Sequence, residues 1–130
     1  MLSLLLATWV ALVNTDRAGA GLAPLQLAPE LVSTAQWRAD GLATTAPAAL
    51  SHTLPTGGPF SDALLASGIG FRLAGENLGR CVCPVEAIEL ALLASPAHRA
   101  NLLEPAYTRV GLGIAEDPQG RTCYVQLFAD

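Results

Sequence analysis

A chain of 130 residues that is 52% hydrophobic and 14% charged can bury one core and is too short to need two, so we expect a single domain over residues 1–130. The formal net charge is −4, and the seven basic residues are all arginines dispersed along the chain. That distribution argues against a nucleic-acid or anionic-membrane surface. We further expect a monomer.

The first segment of the chain is almost entirely apolar. Residues 2–13 have the sequence LSLLLATWVALV, which is similar to the hydrophobic region of a signal peptide but too short to span a bilayer as a helix. A cleavable signal peptide begins with basic residues, and none precedes Arg17. We therefore predict a helix of the domain itself over residues 4–18, ending at Gly19 and Gly21, and no transmembrane segment.

Pro29 favours the first position of a second helix, which we extend to about Leu42. Apolar residues at helical spacing predict a core face made mostly of alanine, formed by Val32, Ala35, Ala39 and Leu42. The charged residues of this helix are then predicted to lie on its outside: Glu30, Arg38 and Asp40.

The next stretch, TTAPAALSHTLPTGGP over residues 44–59, contains three prolines and two glycines. This composition predicts irregular structure and places His52 on a loop. A third helix is predicted over residues 60–67. The following GIGFRLAGENLGR mixes extended residues with glycines, and GEN within it is typical of a turn.

A fourth helix is predicted to start at Pro84, with Glu86 near its positive end. The apolar stripe of this helix consists of Val85, Ile88 and Leu92. Glu86 and Glu89 are predicted to form its solvated face.

The C-terminal third changes to a period of two, which is typical of strands. Apolar residues alternate with Gly111 and Gly113 in TRVGLGIAE, and TCYVQLFA alternates in the same way after the turn EDPQGR. The pair predicts an antiparallel hairpin, and its two glycines on one face allow a helix to approach closely. Helices with a small antiparallel sheet make an α+β layered domain.

The three cysteines are an odd number, so at most one pair can form within the chain. Cys81 and Cys83 are two residues apart, so the CxxC spacing of a metal site is absent. Cys123 could pair with either of them, as suits an exported protein, or all three could be thiols, as suits a cytosolic one. Both alternatives stay open.

Several stretches in this order resemble the CAP superfamily, which includes cysteine-rich secretory proteins and many short bacterial exported proteins. They are LVNTDRAGAGLAPLQLAPEL (12–31), SHT (51–53), GENL (75–78), SPAHRANLLEPAYTRVGLGIA (95–115) and YVQLF (124–128). The resemblance covers nearly the whole chain and is closest to the bacterial branch. It implies a three-layer α-β-α sandwich with a small antiparallel sheet and a surface cleft.

In better-known members of that family, the cleft holds two histidines and two acidic residues. By the matching motifs, His52 is the first histidine, Glu76 the first acid and His98 the second histidine. Ser95 stands where eukaryotic relatives have the second acid, as bacterial members commonly show. Leu92 stands where bacterial relatives usually have tryptophan.

The resemblance implies an exported bacterial protein, extracellular or in the cell envelope, that acts as a binding module more than as an enzyme. Two imidazoles and a carboxylate suit Zn²⁺ or another divalent cation, so we expect His52, His98 and Glu76 to bind a metal or a small ligand, with Ser95 in the same cleft. The alternative is a purely structural role, in which the histidines and Glu76 only hydrogen-bond to one another and to nearby backbone.

Two further alternatives are a metal-dependent hydrolase with Glu76 as ligand or general base, and a lipid- or sterol-binding protein. Expected partners are accordingly a small ligand, a lipid or an extracellular protein. A serine nucleophile is not favoured, although Ser51 and Ser95 lie near the histidines, because the G-x-S-x-G motif is absent from the sequence.

Overall fold

The computed structural model describes residues 2–45 and 49–130; part of the predicted irregular stretch, residues 46–48, lies outside this range. The helices are α1 (Leu2–Gly19), α2 (Pro29–Thr44), α3 (Ser61–Ala66), α4 (Val85–Ala94) and α5 (Pro96–Leu102). The strands are β1 (Gln26–Leu27), β2 (Ala74–Cys81), β3 (Arg109–Glu116) and β4 (Thr122–Ala129). Within the described residues, no helix has the length and apolar character needed to cross a membrane.

The strands form one sheet in the order β1-β3-β4-β2. The short β1 runs parallel to β3, whereas β3 with β4 and β4 with β2 are antiparallel. The predicted hairpin is therefore confirmed, with Gly111 opposite Leu127. Strand β2 ends the order on one side and places Glu76 opposite the same Leu127.

Alternate residues of the strands face two separate cores. On one side α1, α4 and α5 pack large side chains against the sheet, including Trp9, Tyr107 and Phe128. On the other side α2 and α3 pack against it with leucines and with several small side chains, including Ala35 and Ala39. The structure thus confirms the three-layer α-β-α sandwich.

Gly111 and Gly113 face α2, and a Cβ on either would overlap the α2 backbone at Leu31 and Ala35 respectively. The prediction that these glycines admit a close helix is confirmed. The backbone of α2 therefore lies directly on strand β3.

Two predictions of exposure are wrong. Arg38 was expected outside and is buried, because it lies three residues after Ala35 and four before Leu42, on the apolar face of α2. Glu89 was expected on the solvated face of α4 and is buried for the same reason, four residues after Val85 and three before Leu92. Charge suggested exposure, whereas helical position placed both side chains inward.

Two smaller differences concern local structure. Glu76 lies inside strand β2 rather than in a turn. The SPAHR motif forms a separate helix, α5, because the extended backbone at Ser95 and Pro96 at the first helical position end α4 and restart the chain.

The cysteine pairing also differs from both alternatives. Cys81 and Cys83 form a disulfide, with 5.3 Å between their Cα atoms, because the chain bends after β2 instead of staying extended. Cys123 is a buried free thiol. It faces the α2 core while Cys81 packs on the α4 side, so the sheet itself separates them.

Candidate functional site

The three matched residues come from three different elements that meet at strand β2. Glu76 lies on β2 and faces α2, and His52 lies on the loop after α2. His98 lies on α5, on the other side of the sheet. The candidate site therefore straddles the sheet edge where the two helical layers meet.

Glu76 is 4% exposed, and both its carboxylate oxygens accept hydrogen bonds. Arg38 donates from Nε to Oε2 at 2.9 Å and from Nη2 to Oε1 at 3.3 Å, so a buried ion pair links α2 to β2. His52 Nδ1 lies 2.8 Å from Oε1 of Glu76. Because a carboxylate only accepts, Nδ1 carries a proton, and in the neutral ring Nε2 is then the acceptor.

The loop that carries His52 is held from below by the same arginine, since Arg38 Nη2 also donates to the carbonyl of Ser51. The hydroxyl of Ser51 accepts from the backbone N–H of Thr53 at 3.1 Å, which closes a local turn. The His52 side chain is 59% exposed and meets Phe60 edge-on, with 6.3 Å between ring centroids. His52 is thus anchored at one nitrogen and open to solvent.

His98 is half-buried on α5. Burial, and then the nearby charge of His52, lower the pKa of His98. The lowered pKa keeps His98 neutral at neutral pH.

Amide side chains fix α5 to the strand beneath it. Asn77 Nδ2 donates to the carbonyl of His98 at 3.0 Å. Asn101 Nδ2 donates to the carbonyl of Glu76 at 3.2 Å and to Oδ1 of Asn77 at 2.9 Å. Asn101 thus holds α5 to β2 and helps to fix the position of His98 relative to Glu76.

A chain of buried polar groups continues from Asn77 into the core. Asn77 donates to Gln126 at 3.0 Å, and Gln126 and Trp9 each donate to Oε1 of Glu89 at 2.9 Å. Burial, and then a hydrogen bond with the carboxyl of Asp16, raise the pKa of Glu89 to about 8. Sequence reasoning gave none of these residues a part in a polar network. The signal was positional, since the polar side chains lie on apolar faces of their helix or strand.

Ser95 lies at the junction of α4 and α5, three residues before His98, and its carbonyl accepts the first-turn hydrogen bond from Arg99 at 2.7 Å. Leu92 is buried in the core between α4 and the sheet. The structure thus gives Ser95 a position at the helix junction and gives Leu92 a packing role.

The arrangement of Glu76 bears on the expected metal. Within the part of the chain that the structure describes, no group of three or more His, Cys, Asp and Glu side chains is placed to hold an ion. For Glu76 to ligate a cation, it would have to leave the guanidinium of Arg38. In this arrangement Glu76 is the group that orients His52.

A cavity of about 210 Å³ adjoins the loop of His52. It shares Arg38 and Ser51 with the site, and its walls are otherwise mostly apolar: Trp37, Gly41, Leu42, Thr45, Ala49, Thr53 and Pro55. A ligand at the histidines could therefore extend an apolar part into this cavity.

Helices on both faces of this sheet, with two histidines and a glutamate at its edge, define a domain of the α-β-α sandwich class. The model of the CAP family, described as the cysteine-rich secretory protein family, matches residues 10–128. The chain belongs to this family.

Individual relatives agree with that assignment. YkwD of Bacillus subtilis (strain 168) is 32% identical over 107 residues, which cover 82% of this chain and 41% of that protein. The structure of an extracellular SCP-domain protein from Bacillus anthracis str. Ames has a TM-score of 0.83 at 28% identity, covering 95% of this chain and 39% of that one.

An outer surface protein of Borrelia burgdorferi shares the fold, with a TM-score of 0.86 at 20% identity over 97% of this chain and 92% of that one. The present chain is a CAP-domain protein of the bacterial SCP type. It spans about two fifths of the length of the two Bacillus proteins.

Proposed function

We propose that this CAP domain acts outside the cytoplasm as a binding module, and that the cleft between His52 and His98 takes a divalent cation or a small polar ligand. The observation that carries the proposal is the buried carboxylate of Glu76, which holds the exposed ring of His52 in one tautomer at 2.8 Å. The location is supported by the Bacillus anthracis relative, whose SCP-domain protein is described as extracellular.

The chemistry of the cleft follows from the protonation of its groups. The Nε2 atom of His52 is an acceptor, and His98 is kept neutral by its lowered pKa, so both rings offer a lone pair. Neutral imidazoles bind Zn²⁺ and similar ions, and a carboxylate behind the ring strengthens such a ligand. When bound, the ion would supply a Lewis-acid centre with open positions for water or ligand atoms.

The alternative functions gain unequal support. A hydrolase with Glu76 as general base is disfavoured, since Arg38 and His52 already occupy both carboxylate oxygens. A ligand with an apolar portion, including a lipid, is favoured by the adjoining cavity of about 210 Å³. In that case, the histidines bind the polar end of the ligand.

The test is calorimetric titration of the metal-free protein with Zn²⁺. We expect one-to-one binding that is lost in His52→Ala and in His98→Ala, and weakened in Glu76→Gln because His52 loses its orienting partner. Binding should also weaken as the pH falls and the imidazoles become protonated. Glu86→Gln, an exposed carboxylate on α4, is the matched control and should bind as the wild type does.

Two results would contradict the metal proposal: a folded wild type that binds no Zn²⁺, or binding that survives both histidine substitutions. In the first case, the same variants and Trp37→Ala, which alters the wall of the adjoining cavity, should be tested with a short-chain fatty acid as probe. Loss of that binding in Trp37→Ala, together with no Zn²⁺ binding, would assign the site to an amphipathic ligand instead.

A further inference from the structure

The disulfide between Cys81 and Cys83 closes a loop that contains a single residue, Val82. A cross-link stabilises a fold mainly by restricting the unfolded chain, and this effect grows with the length of the loop that it closes. A bond across one residue therefore does little of what structural disulfides do. It also connects no elements that are distant from each other in the sequence.

The position of the disulfide is better suited to thiol–disulfide exchange than to stabilising the fold. Val82 is 80% exposed at the tip of the bend between β2 and α4, and both cysteines are half-buried, so the bond lies at the protein surface. The hydroxyl of Tyr124 donates to the carbonyl of Cys83 at 2.5 Å, which fixes the bend to the sheet. The S–S bond is therefore accessible to a reacting partner and fixed in position.

The two sulfur atoms are not equivalent. Cys83 directly precedes Pro84, the N-cap of α4, and no side chain caps this ten-residue helix. The free N–H groups of a helix N-terminus stabilise a thiolate, so the sulfur of Cys83 is the better leaving group. Cys123 is fully buried on the opposite face of the sheet, so it takes no part in exchange.

We propose that Cys81–Cys83 is a redox-active disulfide that oxidises dithiols in other proteins. A thiolate of the dithiol attacks Sγ of Cys81, the S–S bond breaks, and its electron pair leaves on Cys83 as a thiolate. The second thiolate of the partner then attacks the partner's sulfur in the mixed disulfide and releases Cys81 as a thiolate. Two electrons and two protons pass from the dithiol to the pair, and the partner gains the disulfide.

The experiment uses the full chain isolated without reductant. After incubation with excess reduced glutathione under native conditions, the protein is denatured and labelled with a maleimide, and labelled thiols are counted by intact mass. Since Cys123 is free and the chain has three cysteines, we expect one label before glutathione and three after it. The thermal midpoint of the reduced protein should stay within about 2 °C of the oxidised one.

The activity itself is tested with a synthetic peptide that carries two cysteines. Wild type and Cys123→Ala should oxidise the peptide at the same rate, whereas Cys83→Ser should not, because the pair can then form no disulfide. Three labels before glutathione would overturn the proposal, since no bond then exists. One label that persists in glutathione, a large fall of the thermal midpoint on reduction, or reduction without peptide oxidation would each overturn it as well.

Discussion

Helices pack closely on one face of the sheet and at a greater distance on the other. On the α2 face, glycines on β3 let the helix backbone touch the strand, and alanines and leucines of α2 pack around the contact. On the α1, α4 and α5 face, aromatic rings hold the helices away, including Trp9 against Tyr124 with 5.3 Å between centroids. Close approach on one side and separation on the other decide where polar groups can be buried.

The two faces also differ in the charged and polar groups that they bury. On the α2 face, the ion pair of Arg38 with Glu76 is buried at the sheet edge, and Glu76 also holds the ring of His52. The other face leaves a wider space, in which amides and carboxyls form a connected chain from Glu89 to the backbone of His98. One imidazole is therefore supported by an ion pair and the other by a neutral network.

The largest expected effect comes from breaking the ion pair on the close-packed face. Arg38→Met leaves the carboxylate of Glu76 buried without its cation, and the free energy of unfolding should fall by about 3–5 kcal/mol. Chemical denaturation measures this. In Glu30→Gln, which removes the exposed partner of Arg109 at 3.6 Å, the loss should stay below about 1 kcal/mol.

A double variant sharpens that measurement. Arg38→Met combined with Glu76→Leu replaces the pair with apolar side chains and should recover most of the lost stability. If the single and double variants were equally unstable, lost packing rather than the unpaired charge would explain the effect.

The next effect tests the close approach of α2 directly. Gly113→Ala places a Cβ against the backbone of Ala35, and neither backbone can yield without moving the helix from the sheet. We expect the free energy of unfolding to fall by about 3 kcal/mol. Gly41→Ala, at a glycine of α2 with open space around it, should stabilise the protein by about 0.5–1 kcal/mol. Equal effects of the two substitutions would refute the close contact.

Periodicity and turn residues were sufficient to predict most of the fold. Pro29, the alternating hairpin and the paired glycines each specify local geometry, and the structure agrees with all three. The α-β-α order and the residues of the cleft came from family resemblance. Neither spacing nor composition could show that Glu76 and His52 lie 2.8 Å apart, since 24 residues separate them in sequence.

What the sequence did not reveal are the charged residues of the interior. Arg38 and Glu89 were assigned to the outside because charges usually lie there, although their helical positions were apolar. Burial of each depends on a partner from a distant element, Glu76 for the first and Trp9 with Gln126 for the second. Such partners become visible only when the elements are brought together.

The effect expected to be smallest at pH 5 concerns the neutral network, and it grows as the pH rises. Among the described residues, no donor reaches Oε2 of Glu89, and the neighbouring carboxyl of Asp16 disfavours a negative charge on it. Burial, and then Asp16, raise the folded-state pKa of Glu89 to about 8, above its ordinary value of 4.5. Its stabilising contribution is therefore complete below pH 4.5 and is lost as the pH rises through about 8.

Glu89→Gln isolates this contribution, because a neutral amide can accept from Trp9 and Gln126 and donate to Asp16 at every pH. We expect equal stability of variant and wild type near pH 5, and a variant that becomes progressively more stable than the wild type as the pH rises to 9. Thermal unfolding followed across this range measures the difference. Glu86→Gln, one turn earlier on the exposed side of α4, should reproduce the wild-type profile. A difference between Glu89→Gln and wild type that does not change with pH would show that Glu89 holds no proton in the folded state, and the network on this face would then be charged like the pair on the other.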